Sequence, residues 1–241
     1  MCETCGCSEP SHGHDHREHS NHHHAPGSQQ IPVGESVMAR NDRFALANRD
    51  YFEKQGVFVV NMISSPGSGK TAILEALARH FGSRMAVIEG DVKTSRDADR
   101  VSSAGSPAIQ IETDGACHLD AHSVGHAVDG LDLSSVQLLV IENVGNLVCP
   151  STYDLGEHEK MAILSLPEGD DKVFKYPALF HRVKTLLVNK VDLLPHLTFD
   201  IGKAVGECRS LNPEVQAFEI SATRGDGMDA LFDYLETRFI R

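Results

Sequence analysis

No uninterrupted apolar segment of the 241-residue chain approaches the roughly 18 to 20 residues that a membrane span needs. The polar N-terminus likewise lacks the apolar region of a signal peptide, so a cytoplasmic location is expected. Basic charge is scarce: 22 Lys and Arg against 34 Asp and Glu leave a formal charge of -12. Such a balance repels nucleic acid and anionic membranes, and argues against non-specific binding to either. No internal repeat is visible. Cysteine is limited to six residues. An even number admits a disulfide framework, but a reducing cytosol and a domain of this size make free thiols or metal ligands the expected state.

What is present is organised around residues 57–71. Val57, Phe58, Val59, Val60 and Ile63 form a buried-strand run that ends in Ser64-Ser65-Pro66-Gly67-Ser68-Gly69-Lys70-Thr71. This octet fits the phosphate-loop pattern G-x-x-x-x-G-K-S/T at Gly69, Lys70 and Thr71 but has serine at the first glycine position. Pro66-Gly67 can supply the bend instead. Backbone N–H groups around Gly67 to Lys70, with Ser65 and Ser68 beside them, then face phosphates at a helix N-terminus, the Lys70 ammonium meets the β/γ oxygens, and the Thr71 hydroxyl meets Mg²⁺. An ordinary glycine-rich strand-to-helix turn is the plainer alternative.

Around this loop the chain alternates. Apolar pairs Val37/Met38, Phe44/Ala45 and Tyr51/Phe52 recur at seven-residue spacing and predict a helix over about 35–55 with those pairs as its packed stripe. Helices are expected at about 71–80, 95–104, 119–128, 200–211 and 228–239. Strands are expected at 85–89, 108–111, 136–141, 161–164, 185–188 and 215–220. Alternating β and α units mean an α/β fold, a mostly parallel sheet flanked by helices, with ligands at the carboxyl ends of the strands. Residues 34–241 are read as this domain. Residues 1–33 differ in composition and form a Cys/His-rich tail and linker, with too few apolar groups to offset the entropy of ordering.

Two acidic strand ends and one polar strand end carry further chemistry. Glu142 closes a strand and is a candidate Mg²⁺ ligand, and Asp91 is a second candidate for Mg²⁺ or for orienting the attacking water. Asn189-Lys190-Val191-Asp192 follows the run 183–188. The Asp192 carboxylate can accept from guanine N1–H and its exocyclic amine, donors that adenine does not offer in that arrangement. Asn189 supports the loop, the Lys190 stem lies over the ring, and Ser221-Ala222-Thr223 is placed to give a backbone N–H to guanine O6. Arg96 and Arg100 lie near the Asp91 loop, but helix-surface ion pairing explains them as well as a catalytic role. Without a supplied arginine, turnover is expected to be slow.

Metal-ligand chemistry clusters in two places. Cys2, Cys5 and Cys7 precede His12, His14, His16, His19, His22, His23 and His24, interspersed with Gly, Asp, Glu and Ser in a way unlike an expression tag. Cys117-His118 follows one strand, and Cys149 ends the loop that starts at Glu142. Two thiolates and an imidazole suit Zn²⁺ or Ni²⁺. The plainer alternative makes Cys117 and Cys149 small buried hydrophobes and His118 a helix-start residue. His122 and His126, at four-residue spacing from His118, read as a solvated or partner-facing stripe, and Cys208 as structural.

Taken together, Met1-Cys2-Glu3-Thr4-Cys5-Gly6-Cys7, the octet at 64–71, Glu-Gly-Asp at 89–91, Cys117-His118, Glu-Asn-Val-Gly-Asn-Leu-Val-Cys-Pro at 142–150 and Asn-Lys-Val-Asp at 189–192 resemble the hydrogenase nickel-incorporation GTPases, the HypB family, over nearly the whole chain. The resemblance implies a SIMIBI-like P-loop GTPase that cycles between GTP and GDP with Mg²⁺, dimerises face to face on GTP, and works with a zinc-binding HypA-type partner. It implies delivery of nickel to the large subunit of a [NiFe]-hydrogenase. It also implies a nickel site at Cys2, Cys5 and Cys7, with the chain's amino group as a further candidate, a second Ni²⁺ or Zn²⁺ site at Cys117, His118 and Cys149 near the dimer interface, and a nickel-storing role for the tail histidines. A urease nickel GTPase would carry Cys-Pro-His, whereas Cys149-Pro150 is followed by Ser151. A nickel storage protein in which nucleotide is incidental is the alternative from another class.

Overall fold

The computed structural model describes residues 36–91 and 96–239. Its elements are α1 (Val37–Gln55), β1 (Phe58–Ser64), α2 (Lys70–Phe81), β2 (Met85–Asp91), α3 (Arg96–Ser103), β3 (Ala108–Glu112), α4 (Ala121–Val128), β4 (Leu138–Glu142), α5 (Cys149–Thr152), β5 (Glu159–Ser165), α6 (Lys172–Lys175), α7 (Pro177–Phe180), β6 (Thr185–Asn189), α8 (Ile201–Leu211), β7 (Gln216–Ile220) and α9 (Met228–Thr237). The expected helices and strands are present. The four-residue helices α5, α6 and α7 are additional, because one turn leaves no periodic pattern to read.

The strands form one sheet in the order β3-β2-β4-β1-β5-β6-β7, and every neighbouring pair is parallel. All carboxyl ends therefore share one edge. The chain leaves β1 toward β2 and β3, returns through β4, and then crosses to β5 on the other side. The strand order reverses at β1, and the crevice outside its carboxyl end is where such sheets bind ligands.

Both faces are covered, which is why β1, β4 and β6 are buried throughout and read as apolar runs. Phe58, Val60 and Met62 of β1 pack with Ile73, Leu74 and Leu77 of α2 and Leu231 of α9. On the opposite face Val57 and Val59 meet Phe52 of α1 and Val124 of α4, while Ile63 meets Phe180 and Val205 of α7 and α8. Among the described residues, no helix is long and apolar enough to cross a membrane.

Helix α1 corrects one expectation. Ser36 starts it, its hydroxyl accepting from the Ala39 N–H at 3.1 Å, and Gly56 stops it at φ 69°. Its buried positions are Asn41, Ala45, Asn48 and Phe52, whereas Val37 and Tyr51 are exposed. The apolar pairs mark the helix but not its whole inner face, because two asparagines with backbone partners occupy half of that face.

Candidate functional site

The turn between β1 and α2 is built as a cradle. Gly67 and Gly69 take φ of 76° and 99°, in the region that favours glycine. Ser64, at the position where the pattern has glycine, is fully buried. Its hydroxyl accepts from Ser68 Oγ at 2.6 Å and from Lys70 Nζ at 3.0 Å, and donates to the Ser65 carbonyl at 2.9 Å. The serine thus braces the loop from beneath. A cleft of about 540 Å³ opens beside it, lined by Gly67, Lys70, Thr71, Glu89, Gly90 and Glu142 among others. A helix N-terminus, an ammonium and successive loop amides around one cleft form an arrangement suited to phosphates.

Thr71 and Glu142 both line that cleft, as expected from their places at a helix start and a strand end. Glu89 joins them: it is buried, and it is the register partner of Glu142 across β2 and β4. Sequence reasoning missed it as a site residue because it sits inside the strand. The signal was an acid closing an apolar run, the same one that selects Glu142. A hydroxyl with two carboxylates is a hard oxygen donor set, and it fits Mg²⁺. The Asp91 backbone ends β2, while its side chain lies outside the described residues.

The segments 189–192 and 221–223 converge on the same loop. Asn189 donates its side-chain amide to the Ser68 carbonyl at 2.9 Å and accepts from the Ala222 N–H at 3.3 Å. Lys190 holds φ at 65° and its ammonium reaches the Gly67 carbonyl at 2.7 Å. The Ser221 hydroxyl donates to Asp192 Oδ1 at 2.6 Å and lies 3.4 Å from the Thr223 hydroxyl. The octet at 64–71, the segment 189–192 and the segment 221–223 are therefore tied together by side-chain hydrogen bonds at the carboxyl edge of the sheet.

Beyond the cleft, the ligand atoms of Cys117, His118 and Cys149 all lie within 4.8 Å of one another. Cys117 Sγ is 3.5 Å from His118 Nδ1. Burial lowers the His118 pKa, which favours the neutral imidazole that can ligate a metal. The Cys149 thiol hydrogen-bonded beside it raises Cys117, and a bound cation would reverse that by favouring thiolate. Cys117 is exposed and Cys149 half-buried, unlike Cys208, which is fully buried. The two are thus not the buried hydrophobes of the plainer alternative. Cys149 opens the short helix α5 at the end of the loop that starts at Glu142, and His118 precedes α4 by three residues. His122 and His126 on α4 bring their Nε2 atoms to 3.2 Å, with the His122 ring edge-on to Phe44. Cys2, Cys5, Cys7 and the seven tail histidines lie outside the described residues.

Helix α1 grips this region. Asn48 donates to the carbonyls of Ala121 and Leu155 at 2.7 and 3.0 Å. Asn41 accepts from the Ala121 N–H at 2.9 Å and donates to the Asp154 carbonyl at 2.8 Å. The start of α4 and the segment carrying Tyr153, whose ring lies 3.8 Å from that of His118, are thereby fastened to one helix.

Residues 58–219 match the family described as CobW/HypB/UreG, nucleotide-binding domain. The chain is 48% identical over 218 residues to the hydrogenase maturation factor HypB of Azotobacter vinelandii, covering 88% of this chain and 72% of that protein. It is similar to the crystal structure of HypB from Helicobacter pylori in complex with nickel, with 39% identity, a TM-score of 0.79, and coverage of 83% of this chain and 97% of that one. A likeness to FtsY from Mycoplasma mycoides, with a TM-score of 0.53 at 13% identity over 84% of this chain and 77% of that one, concerns the fold alone.

Proposed function

The chain belongs to the HypB hydrogenase maturation factors within the CobW/HypB/UreG nucleotide-binding family, and from that premise we propose that it is a GTP-hydrolysing nickel metallochaperone for [NiFe]-hydrogenase. The observation that carries this reading is the shared loop: residues 142–149 run from a carboxylate in the nucleotide cleft to a thiol of the Cys117, His118, Cys149 cluster. Nickel is the cargo of that cluster, whose two thiols and imidazole suit Ni²⁺ and also Zn²⁺.

In this reading Lys70 and the amides of the Gly67–Lys70 loop hold the β- and γ-phosphates, while Asp192, Asn189, Lys190 and the 221–223 segment select guanine. Thr71, Glu142 and Glu89, with Asp91 as a further ligand, would hold Mg²⁺, which neutralises phosphate charge when bound. GTP draws the 142–149 loop toward the cleft and closes a homodimer. Hydrolysis, slow unless an arginine is supplied to the γ-phosphate, relaxes the cluster and releases the metal toward the hydrogenase large subunit. The segment 1–33, through Cys2, Cys5, Cys7 and its histidines, gathers nickel for the 34–241 GTPase domain, and a HypA-type zinc protein is the partner in transfer. The Cys149-Pro150-Ser151 sequence favours this over a urease-type factor.

The test is nickel release from purified full-length protein with GTP against GDP, in wild type and Cys149→Ala. Faster release through a hydrolysis cycle, lost in Cys149→Ala, is expected. Equal release with both nucleotides in the wild type would make the protein a nickel store.

A further inference from the structure

The loop that leaves the nucleotide cleft is held to the Cys117-His118 segment by two asparagine side chains. Asn143, directly after Glu142, is fully buried. Its backbone N–H donates to the Met62 carbonyl at 3.0 Å, and its side-chain amide donates to Asn61 Oδ1 at 3.2 Å. Its Oδ1 accepts from the Leu119 N–H at 3.1 Å and from the Val144 N–H at 3.0 Å. Three residues on, Asn146 donates to the Cys117 carbonyl at 3.4 Å while its Oδ1 accepts from the Val148 N–H at 2.9 Å. Both peptide groups flanking His118 are thus bonded to one loop.

That loop and that pair also touch the nucleotide side directly. A Cβ on Gly145 would stand 3.0 Å from Pro66 Cγ and 3.2 Å from its nitrogen, so the loop lies against the phosphate turn. A Cβ on Gly90, which lines the cleft, would fall 2.7 Å from Leu119 Cγ. Leu119, next in sequence to His118, is therefore clasped between the floor of the cleft and the Asn143 amide. Close-packed interiors move by discrete rearrangement and not by continuous deformation, so a shift of the buried Asn143 is passed to Leu119 instead of being absorbed, and the Asn146 bond ties Cys117 to the same loop.

We infer that Asn143 and Asn146 are positioning residues that carry the nucleotide state of the cleft to Cys117 and His118. This rests on the nucleotide–nickel coupling proposed above and names the side chains that transmit it. Neither asparagine needs to touch the metal or the phosphates for this role.

The test uses full-length protein, and nickel protection of Cys117 and Cys149 from alkylation, read by peptide mass spectrometry, keeps the tail ligands out of the signal. Midpoints of protection are measured with Mg²⁺ and GDP, and with Mg²⁺ and a non-hydrolysable GTP analogue. Their ratio is the coupling, and about 5- to 150-fold is the ordinary range. In Asn146→Ser, whose hydroxyl can still cap the Val148 N–H, and in Asn143→Ala, the ratio is expected to fall to within about twofold of one. Asn143→Asp keeps the acceptor for Leu119 and is expected to retain most of the wild-type ratio. If Asn143→Ala does not fold, Asn146→Ser and Leu119→Ala decide the matter. Folded variants that keep the wild-type ratio overturn this assignment alone, whereas a wild-type ratio of one overturns the coupling on which it rests.

Discussion

Asn189 and Ser68 join the two halves of the nucleotide site: the Asn189 side-chain amide meets the Ser68 carbonyl at 2.9 Å across 121 residues of sequence. The approach needs glycine beside it, since a Cβ on Gly69 would stand 2.5 Å from Asn189 Nδ2. The 64–71 turn and the 189–192 segment are consequently one unit. Asn189→Ala leaves the buried Ser68 carbonyl without this partner, at about 1–3 kcal/mol, and removes the acceptor of the half-buried Ala222 N–H. GDP and GTP affinity should both fall by about tenfold or more, which a fluorescent-nucleotide titration measures. Loss of GTP affinity alone would mean that the bond serves the γ-phosphate and not the scaffold.

The Ser221 hydroxyl donates to Asp192 Oδ1 at 2.6 Å and so orients the carboxylate. In Asp192→Asn the amide oxygen still accepts from Ser221, while the NH₂ replaces an acceptor with a donor. GTP affinity should drop by up to about 10⁴-fold, on the scale of sites that read hydrogen-bond donors. Xanthosine nucleotides, with an acceptor where guanine has its amine, should gain. Competition between GTP and XTP in the variant checks this, and unchanged GTP affinity would defeat the guanine assignment.

The cysteines of the described residues should separate by reactivity. Burial pushes the Cys208 thiol up to about 11 and the side chain is fully covered, so at pH 8 it is neither ionised nor reachable, and the thiolate is the reacting species. Cys117 and Cys149 are accessible to a thiol reagent. Alkylation at pH 8 followed by peptide mapping is expected to label Cys117 and Cys149 in metal-free protein, neither when nickel is bound, and Cys208 only after denaturation.

His158 gives the fold a pH dependence of defined sign. Its Nδ1 accepts from the Val59 N–H at 3.0 Å, and burial holds its pKa below the ordinary histidine value. The unfolded chain therefore takes up this proton first. The stabilisation is fully present above the unfolded value of about 6.5 and is lost as pH falls through the lower folded value, with a slope of at most about 1.4 kcal/mol per pH unit for one proton. Urea unfolding of metal-free wild type and His158→Asn from pH 7.5 to 5 should show the variant losing less stability. His118 shifts in the same direction, but it is present in both proteins and cancels.

Much of this architecture is legible in the residues themselves, for identifiable reasons. Buried parallel strands such as β1 (Phe58–Ser64) and β6 (Thr185–Asn189) read as apolar runs because both faces are covered. The donors Cys117, His118 and Cys149 are legible because soft ligands are rare enough to stand out. The order β3-β2-β4-β1-β5-β6-β7 is not written in any local pattern. Nor are the buried asparagines Asn41, Asn48, Asn61 and Asn143, whose composition is that of surface residues until their backbone partners are seen. Glu89 lies between these cases: an acid closing the apolar run 85–89 is a signal in the sequence, and its pairing with Glu142 across β2 and β4 is what places the two carboxylates side by side.

Arg100 stands at the rim of the nucleotide cleft, yet it is engaged elsewhere. Its Nε bonds Glu75 at 2.7 Å and its Nη1 bonds Asp97 at 3.3 Å. The bond to Glu75 raises the guanidinium pKa, so its charge is secure, but it is neutralised by carboxylates on α2 and α3. To serve the γ-phosphate it would have to abandon both. An arginine that stabilises the phosphoryl-transfer transition state is worth about 10³- to 10⁵-fold in kcat, whereas a half-exposed helix-surface pair contributes little even to stability. The magnitudes separate the two roles cleanly. Arg100→Ala should lower the GTP turnover of the full-length protein by less than about tenfold, with Lys70→Ala as the inactive reference. A loss of a thousandfold or more would show that Arg100 leaves Glu75 in the catalytic state. In that event Glu75→Gln, which loosens the competing bond, would raise turnover.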